Sequence, residues 1–125
     1  MIVRTSSRSY PETRNALVQA IEGHSLTMFA RIDHAAGARE VGMELADEEV
    51  LLFGSPRGGT PLMQSDSKIG IELPLRILLW REGERVMLGY KDPRELGPIY
   101  EVKEHVAVLE QMAGLLEQLV GEAAG

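Results

Sequence analysis

The sequence predicts a two-layer α+β domain, with helices on one face of an antiparallel sheet, and three observations predict it. Two segments with the helical period, near residues 9–23 and 106–120, enclose a middle rich in strand patterns. The strands there follow one another through turns, instead of alternating with long helices as a parallel sheet requires. The chain has 125 residues. That length fits one domain, residues 1–125, and from its mass a folded monomer exposes roughly 6,600 Å².

Met1 to Arg8 alternates loosely, with Ile2 and Val3 followed by Thr5, Ser6 and Ser7, which suits an edge strand. Ser9 with Glu12 three residues on has capping-box spacing, and Pro11 sits where a missing N–H costs nothing. Leu17, Val18 and Ile21, with Ala16 and Ala20, form one stripe, and Gly23 is a helix stop. From Ser25 to Asp33, Leu26, Met28, Ala30 and Ile32 alternate as the apolar face of a strand. Asp33 then caps a short helix, His34 to Val41, closed by Gly42.

Glu49 to Phe53 reads as a central strand buried on both faces. Gly54 to Pro61 is the densest cluster of turn formers and reads as a loop, with Thr60 and Pro61 opening a short helix through Ser65. Leu75 to Trp80, a turn at Arg81 to Arg85, and Val86 to Tyr90 form a hairpin. Asp92-Pro93 opens a helical turn, and Val106, Leu109, Met112, Ala113, Leu116, Leu119 and Val120 line the long last helix, before a frayed tail from Gly121 to Gly125. The order is strand, helix, four strands, helix, with two short helical inserts.

Composition bounds function before any motif does. A hydrophobic content of 44% with 26% charged residues is globular composition. With no Cys there is neither disulfide nor thiolate chemistry, which fits a reducing compartment, the cytoplasm. No signal peptide or apolar run of membrane-spanning length is expected. Thirteen basic against 19 acidic residues give a net charge of −6, which argues against a nucleic-acid partner, as the lack of a spanning run argues against a membrane one.

The sharpest local feature is Arg57-Gly58-Gly59-Thr60 leading into a helix start. Glycines bring backbone N–H groups close to a ligand, and a helix N-terminus attracts anions, so these residues are candidates to bind an anion or polar metabolite. The competing reading is a turn whose glycines serve only backbone geometry. His34 beside Asp33 is a candidate general acid or base, although Asp33 is already explained as a cap. His24 and His105 read as boundary residues. Neither His-x-x-x-His spacing nor a Gly-x-Ser-x-Gly nucleophile motif occurs, and no metal or cofactor is expected. The run Asp47-Glu48-Glu49 reads as a solvated face, while Phe53, Trp80 and Tyr90 read as core and Tyr100 as able to line a cleft.

Phe29-Ala30-Arg31-Ile32-Asp33-His34, then Phe53-Gly54-Ser55-Pro56-Arg57-Gly58-Gly59-Thr60-Pro61-Leu62-Met63, then Ile71-Glu72-Leu73-Pro74-Leu75-Arg76 with Trp80, resemble the domain-of-unknown-function family 302, DUF302. The resemblance runs from about Pro11 to Val120, and His34 matches the family's Asp-His pair. It implies a fold similar to one copy of the TATA-binding-protein architecture, and a homodimer. It assigns no activity, and a shared fold transfers none.

Three functional readings follow. The first is a dimeric small-ligand-binding domain using Arg57, Gly58, Gly59 and Thr60 with His34 nearby. The second is an enzyme with His34 as general acid or base and the Arg57–Thr60 segment as an oxyanion or phosphate cradle, which requires the two in one cleft. The third is a structural or protein-interaction module.

Overall fold

The computed structural model describes residues 1–125. Strand β1 (Ile2–Thr5) leads into helix α1 (Tyr10–Gly23), strand β2 (Thr27–Asp33), helix α2 (His34–Glu40) and strand β3 (Glu48–Gly54). Helix α3 (Pro56–Ser65) and a 3₁₀ turn (Ser67–Glu72) precede the hairpin β4 (Leu75–Glu82) and β5 (Arg85–Tyr90). Two further 3₁₀ turns, Pro93–Leu96 and Lys103–His105, lead into helix α4 (Val106–Ala124). The sheet is antiparallel in the order β1-β5-β4-β3-β2. Strand, helix, four strands, helix is thus the order found, an α+β fold of two layers.

The starts and stops follow the local chemistry. Ser9 Oγ accepts the Glu12 amide at the head of α1, and Asp33 Oδ1 accepts the Ala36 amide, 2.8 Å away, at the head of α2. Gly83 takes a φ of +61° in the two-residue turn between Glu82 and Arg85, a conformation that favours glycine. Leu17 and Ile21 of α1 and Leu116, Leu119 and Val120 of α4 pack on Leu51, Phe53, Ile77, Leu79 and Leu88 of the sheet. Both long helices therefore cover one face.

The other face lies outside this core, and several expectations change because of it. β3 is second from the β2 edge, and β4 is the central strand. Leu51 and Phe53 are fully buried, whereas Val50 and Leu52 on the opposite face are half-buried, so β3 is not covered on both sides. Trp80 also lies on the open face and is half-buried rather than core; a Cβ on Gly89 would stand only 3.0 Å from its indole ring. The chain exposes 7358 Å², more than mass scaling predicts, in keeping with a sheet covered on one face.

A β-bulge reassigns the faces of β2. Met28 pairs with Phe53 and Ala30 with Leu52, leaving Phe29 as the extra residue. Past the bulge the alternation inverts, so Ala30 and Ile32 face the open side and Arg31 turns to the helix side, opposite Leu51.

The C-terminal residues also differ from expectation. α4 runs on to Ala124, with Ala123 and Ala124 buried. A helix end leaves carbonyls without partners, and here the N-terminal segment supplies donors. The Ser7 amide and hydroxyl donate to Ala124 O at 2.9 and 3.0 Å, and Arg8 donates to Glu122 O and Ala123 O.

Candidate functional site

The glycine-rich segment is helical. α3 starts at Pro56, five residues before the expected first position Pro61, because Pro56 suits the first helical position and Ser55 the extended cap before it. The amides of Gly58 and Gly59 donate to Ser55 O at 3.0 and 3.2 Å. They are spent on the helix and do not form the expected anion cradle. Pro61, inside the helix, forgoes the bond to the carbonyl of Arg57, which lies in the exposed first turn.

What the glycines leave is space. Beyond the end of β3, between α3, the 3₁₀ turn Ser67–Glu72 and α4, lies a cleft of about 420 Å³, within the size range of small-molecule sites. Leu26, Phe29, Leu73, Met112 and Leu115 line it with Gly58, Gly59 and Gly70. A Cβ on Gly59 would stand 3.2 Å from Leu73 Cδ1, and one on Gly70 3.4 Å from Met63 Sδ. No charged side chain lines the cleft.

Of the five residues singled out in the sequence, only Gly58 and Gly59 line this cleft. Arg57 and Thr60 are exposed elsewhere on α3. His34 is exposed at the head of α2, directly after Asp33, which pairs with Glu49, while Gly54 pairs with Thr27. The strand positions Glu49 and Gly54 are about 17 Å apart. His34 and the α3 segment therefore sit at opposite ends of the β2–β3 ladder, and the enzyme reading loses the shared cleft it requires. No group of three or more His, Asp or Glu is gathered as metal ligands.

The other end of β3 holds a polar cluster that the sequence reading placed in solvent. Glu49 is buried, on the same face as Leu51 and Phe53. Its carboxylate accepts from Tyr10 Oη at 3.2 Å and Arg31 Nη2 at 3.1 Å, and Arg14 stands 4.0 Å away. Burial first, and the Glu49 charge second, raise the Tyr10 hydroxyl above its ordinary range. Arg81 pairs with Asp47 at 2.7 Å while its guanidinium lies 5.7 Å from the centre of the Tyr10 ring. Every buried side-chain polar atom in the molecule has a partner.

Two further carboxylates are held by local donors. Asp66 lies below the usual carboxylate range because the Glu101 amide donates to it, helped by Lys68. Asp92 is lowered by hydrogen bonds from Arg94. Tyr100, expected near a cleft, donates to Glu72 Oε2 at 2.8 Å and borders a separate surface hollow.

Sequence reasoning missed the cleft's apolar lining, whose signals were Phe29 exposed by the bulge and glycines recurring at 54, 58, 59 and 70. It missed Glu49 although spacing by two from Leu51 and Phe53 marks it as core-facing.

Fold and cleft together define a small α+β domain with one covered and one open sheet face. The chain belongs to the DUF302 family, the domain of unknown function whose model matches residues 2–119. A crystal structure of an uncharacterized conserved DUF302 protein from Bacillus stearothermophilus superposes with a TM-score of 0.86 at 13% identity, covering 98% of this chain and 96% of that one. That likeness concerns the fold. Among curated proteins, the chain is 37% identical over 94 residues to Fluoride-specific ion channel FluC 1 of Brucella suis biovar 1, covering 74% of this chain and 37% of that protein. The protein of the same name in Brucella abortus biovar 1 matches at 37% identity over 74% of this chain and 35% of its own length. The chain thus spans about a third of the length of these relatives. No helix here is long and apolar enough to cross a membrane.

Proposed function

We propose that this chain is a cytoplasmic small-molecule-binding domain whose ligand enters the cleft bordered by Gly58 and Gly59. The observation that carries the reading is the apolar cleft of about 420 Å³, kept open by glycines at positions where a Cβ would crowd Leu73 or Met63. Its lining favours a ligand with an apolar body over the wholly polar metabolite that the glycine pattern suggested. A chain without Cys folds without an oxidising compartment, which suits the cytoplasm.

The neutral fluorescent probe N-phenyl-1-naphthylamine tests this reading. Its emission should rise with the wild type and fall back with Met63→Trp, which fills the cleft from an exposed position. Emission that does not rise with the wild type overturns it.

We also propose that the chain acts as a homodimer, joined through the open sheet face. Val3, Ile32, Leu78 and Trp80 spread apolar surface across that face, and a two-fold pairing of identical faces is the commonest closed assembly. Light scattering should give a dimer for the wild type and a monomer for Trp80→Lys. A wild-type monomer at micromolar concentration removes this assembly and leaves the cleft unaffected.

A further inference from the structure

We infer that the ligand is an amphiphile with one anionic end, its apolar body in the cleft and its carboxylate between Arg76 and Lys91; this rests on the cleft reading above. A second hollow, of about 240 Å³, shares Leu73, Leu75 and Met112 with the apolar cleft and is lined by Arg76 and Lys91. Arg76 is also the strand partner of Leu52, which lines the apolar cleft, so the cation stands at the junction of the two.

Arg76, the second residue of β4, and Lys91, directly after the end of β5, line this hollow together. Two cations that share one hollow repel each other. Neither cation has a carboxylate within ion-pair distance, although three acids line the same hollow. Asp92 is occupied by Arg94, with Nη2 at 2.8 Å, and Glu72 by the Tyr100 hydroxyl at 2.8 Å. The third, Glu95, is exposed and makes no ion pair. An anionic group placed between Arg76 and Lys91 relieves their repulsion, and a chain attached to it reaches the apolar cleft past Leu73 and Leu75. The ligand class is a medium-chain carboxylate, flexible enough to turn that corner.

Calorimetric titration with decanoate and with 1-decanol, which share the chain and differ in the charged end, tests this. Decanoate should bind the wild type at least about tenfold tighter, the difference expected of a charge-assisted hydrogen bond. The double variant Arg76→Gln, Lys91→Gln should bring decanoate to the level of decanol and leave decanol unchanged. Met63→Trp should weaken both ligands about tenfold or more. Equal affinity of the two ligands for the wild type overturns the anionic end and leaves the cleft reading intact, whereas binding of neither overturns both. A decanoate preference that survives the double variant but is lost in Arg57→Gln moves the carboxylate to α3 and overturns the assignment to Arg76 and Lys91. Decanoate binding untouched by Met63→Trp places the chain outside the cleft, and also overturns it.

Discussion

At the Glu49 end of β3 a buried carboxylate collects Tyr10, Arg14 and Arg31, while at the Gly54 end, five residues along the same strand, an apolar cleft faces glycines. Burying a charge is costly unless its hydrogen bonds are made, so the first end tolerates neither truncation nor an empty space. Burying nothing is what distinguishes the second. A cleft lined by Leu, Met and Phe forgoes dispersion contacts that a filled core would have, and its stability cost is the condition for admitting a ligand. One end of the strand thus stabilises the fold, and the other is where the proposed ligand would enter.

The largest effect is expected at Phe53, the fully buried residue just before Gly54. Phe53→Ala should cost about 3–5 kcal/mol, whereas Leu52→Ala, half-buried on the opposite face, should cost about 1 kcal/mol. Urea unfolding of both variants checks whether the core stays filled up to the edge of the cleft. At the polar end, Glu49→Ala should cost about 2 kcal/mol, less than a fully buried pair because Arg14 and Arg31 are partly exposed and regain water. Glu49→Gln should cost less than Glu49→Ala, since it keeps an oxygen to accept the hydrogen bonds. If both variants unfold at the wild-type urea midpoint, the two ends do not differ in the way the burial suggests.

Most of the fold was legible in the sequence because its signals are local. The Ser9 and Asp33 caps, the Gly83 turn and the α4 stripe each report on a few neighbouring residues, and each element appears. The site was not legible because it depends on long-range partners. Whether Phe29 shifts the face of every later residue in β2 is decided by its pairing with β3, and that shift is what turns Arg31 onto Glu49. Gly58 and Gly59 look alike in sequence whether they form a turn or a helix; the choice falls to Pro56 and to the Ser55 carbonyl that takes their amides. Trp80 is apolar by composition and half-buried only because no long helix covers its face.

The polar end also has a pH signature. The folded state keeps the Tyr10 proton more tightly than the unfolded chain, so its contribution is complete below the unfolded pKa near 10 and is lost as pH rises beyond it. Wild-type stability should fall above about pH 10 more steeply than that of Tyr10→Phe, which should itself be about 1 kcal/mol less stable at pH 7. Equal alkaline slopes for the two proteins would mean that Tyr10 is not held buried beside Glu49 in solution. Asp66 and Asp92 act in the opposite direction. Their contributions are present above the unfolded carboxylate pKa near 4 and are lost as pH falls from there through their lower folded values.

The smallest effect separates two adjacent glycines. Both lie within α3 and neither has a positive φ, so alanine at either position gains about 0.5–1 kcal/mol of helix propensity. At Gly58 the added Cβ meets nothing within 4 Å, so Gly58→Ala should raise stability by that amount and, although Gly58 borders the cleft, push no neighbour into it and weaken naphthylamine binding less than Gly59→Ala. At Gly59 it meets Leu73 Cδ1 at 3.2 Å, tight enough to push Leu73 into the cleft or to spend the gain on strain. Gly59→Ala should therefore show no net stabilisation and weaker probe binding, both read from one thermal-shift titration. If the two variants gain equally and bind alike, the glycines are a matter of helix-start chemistry rather than of space kept for a ligand.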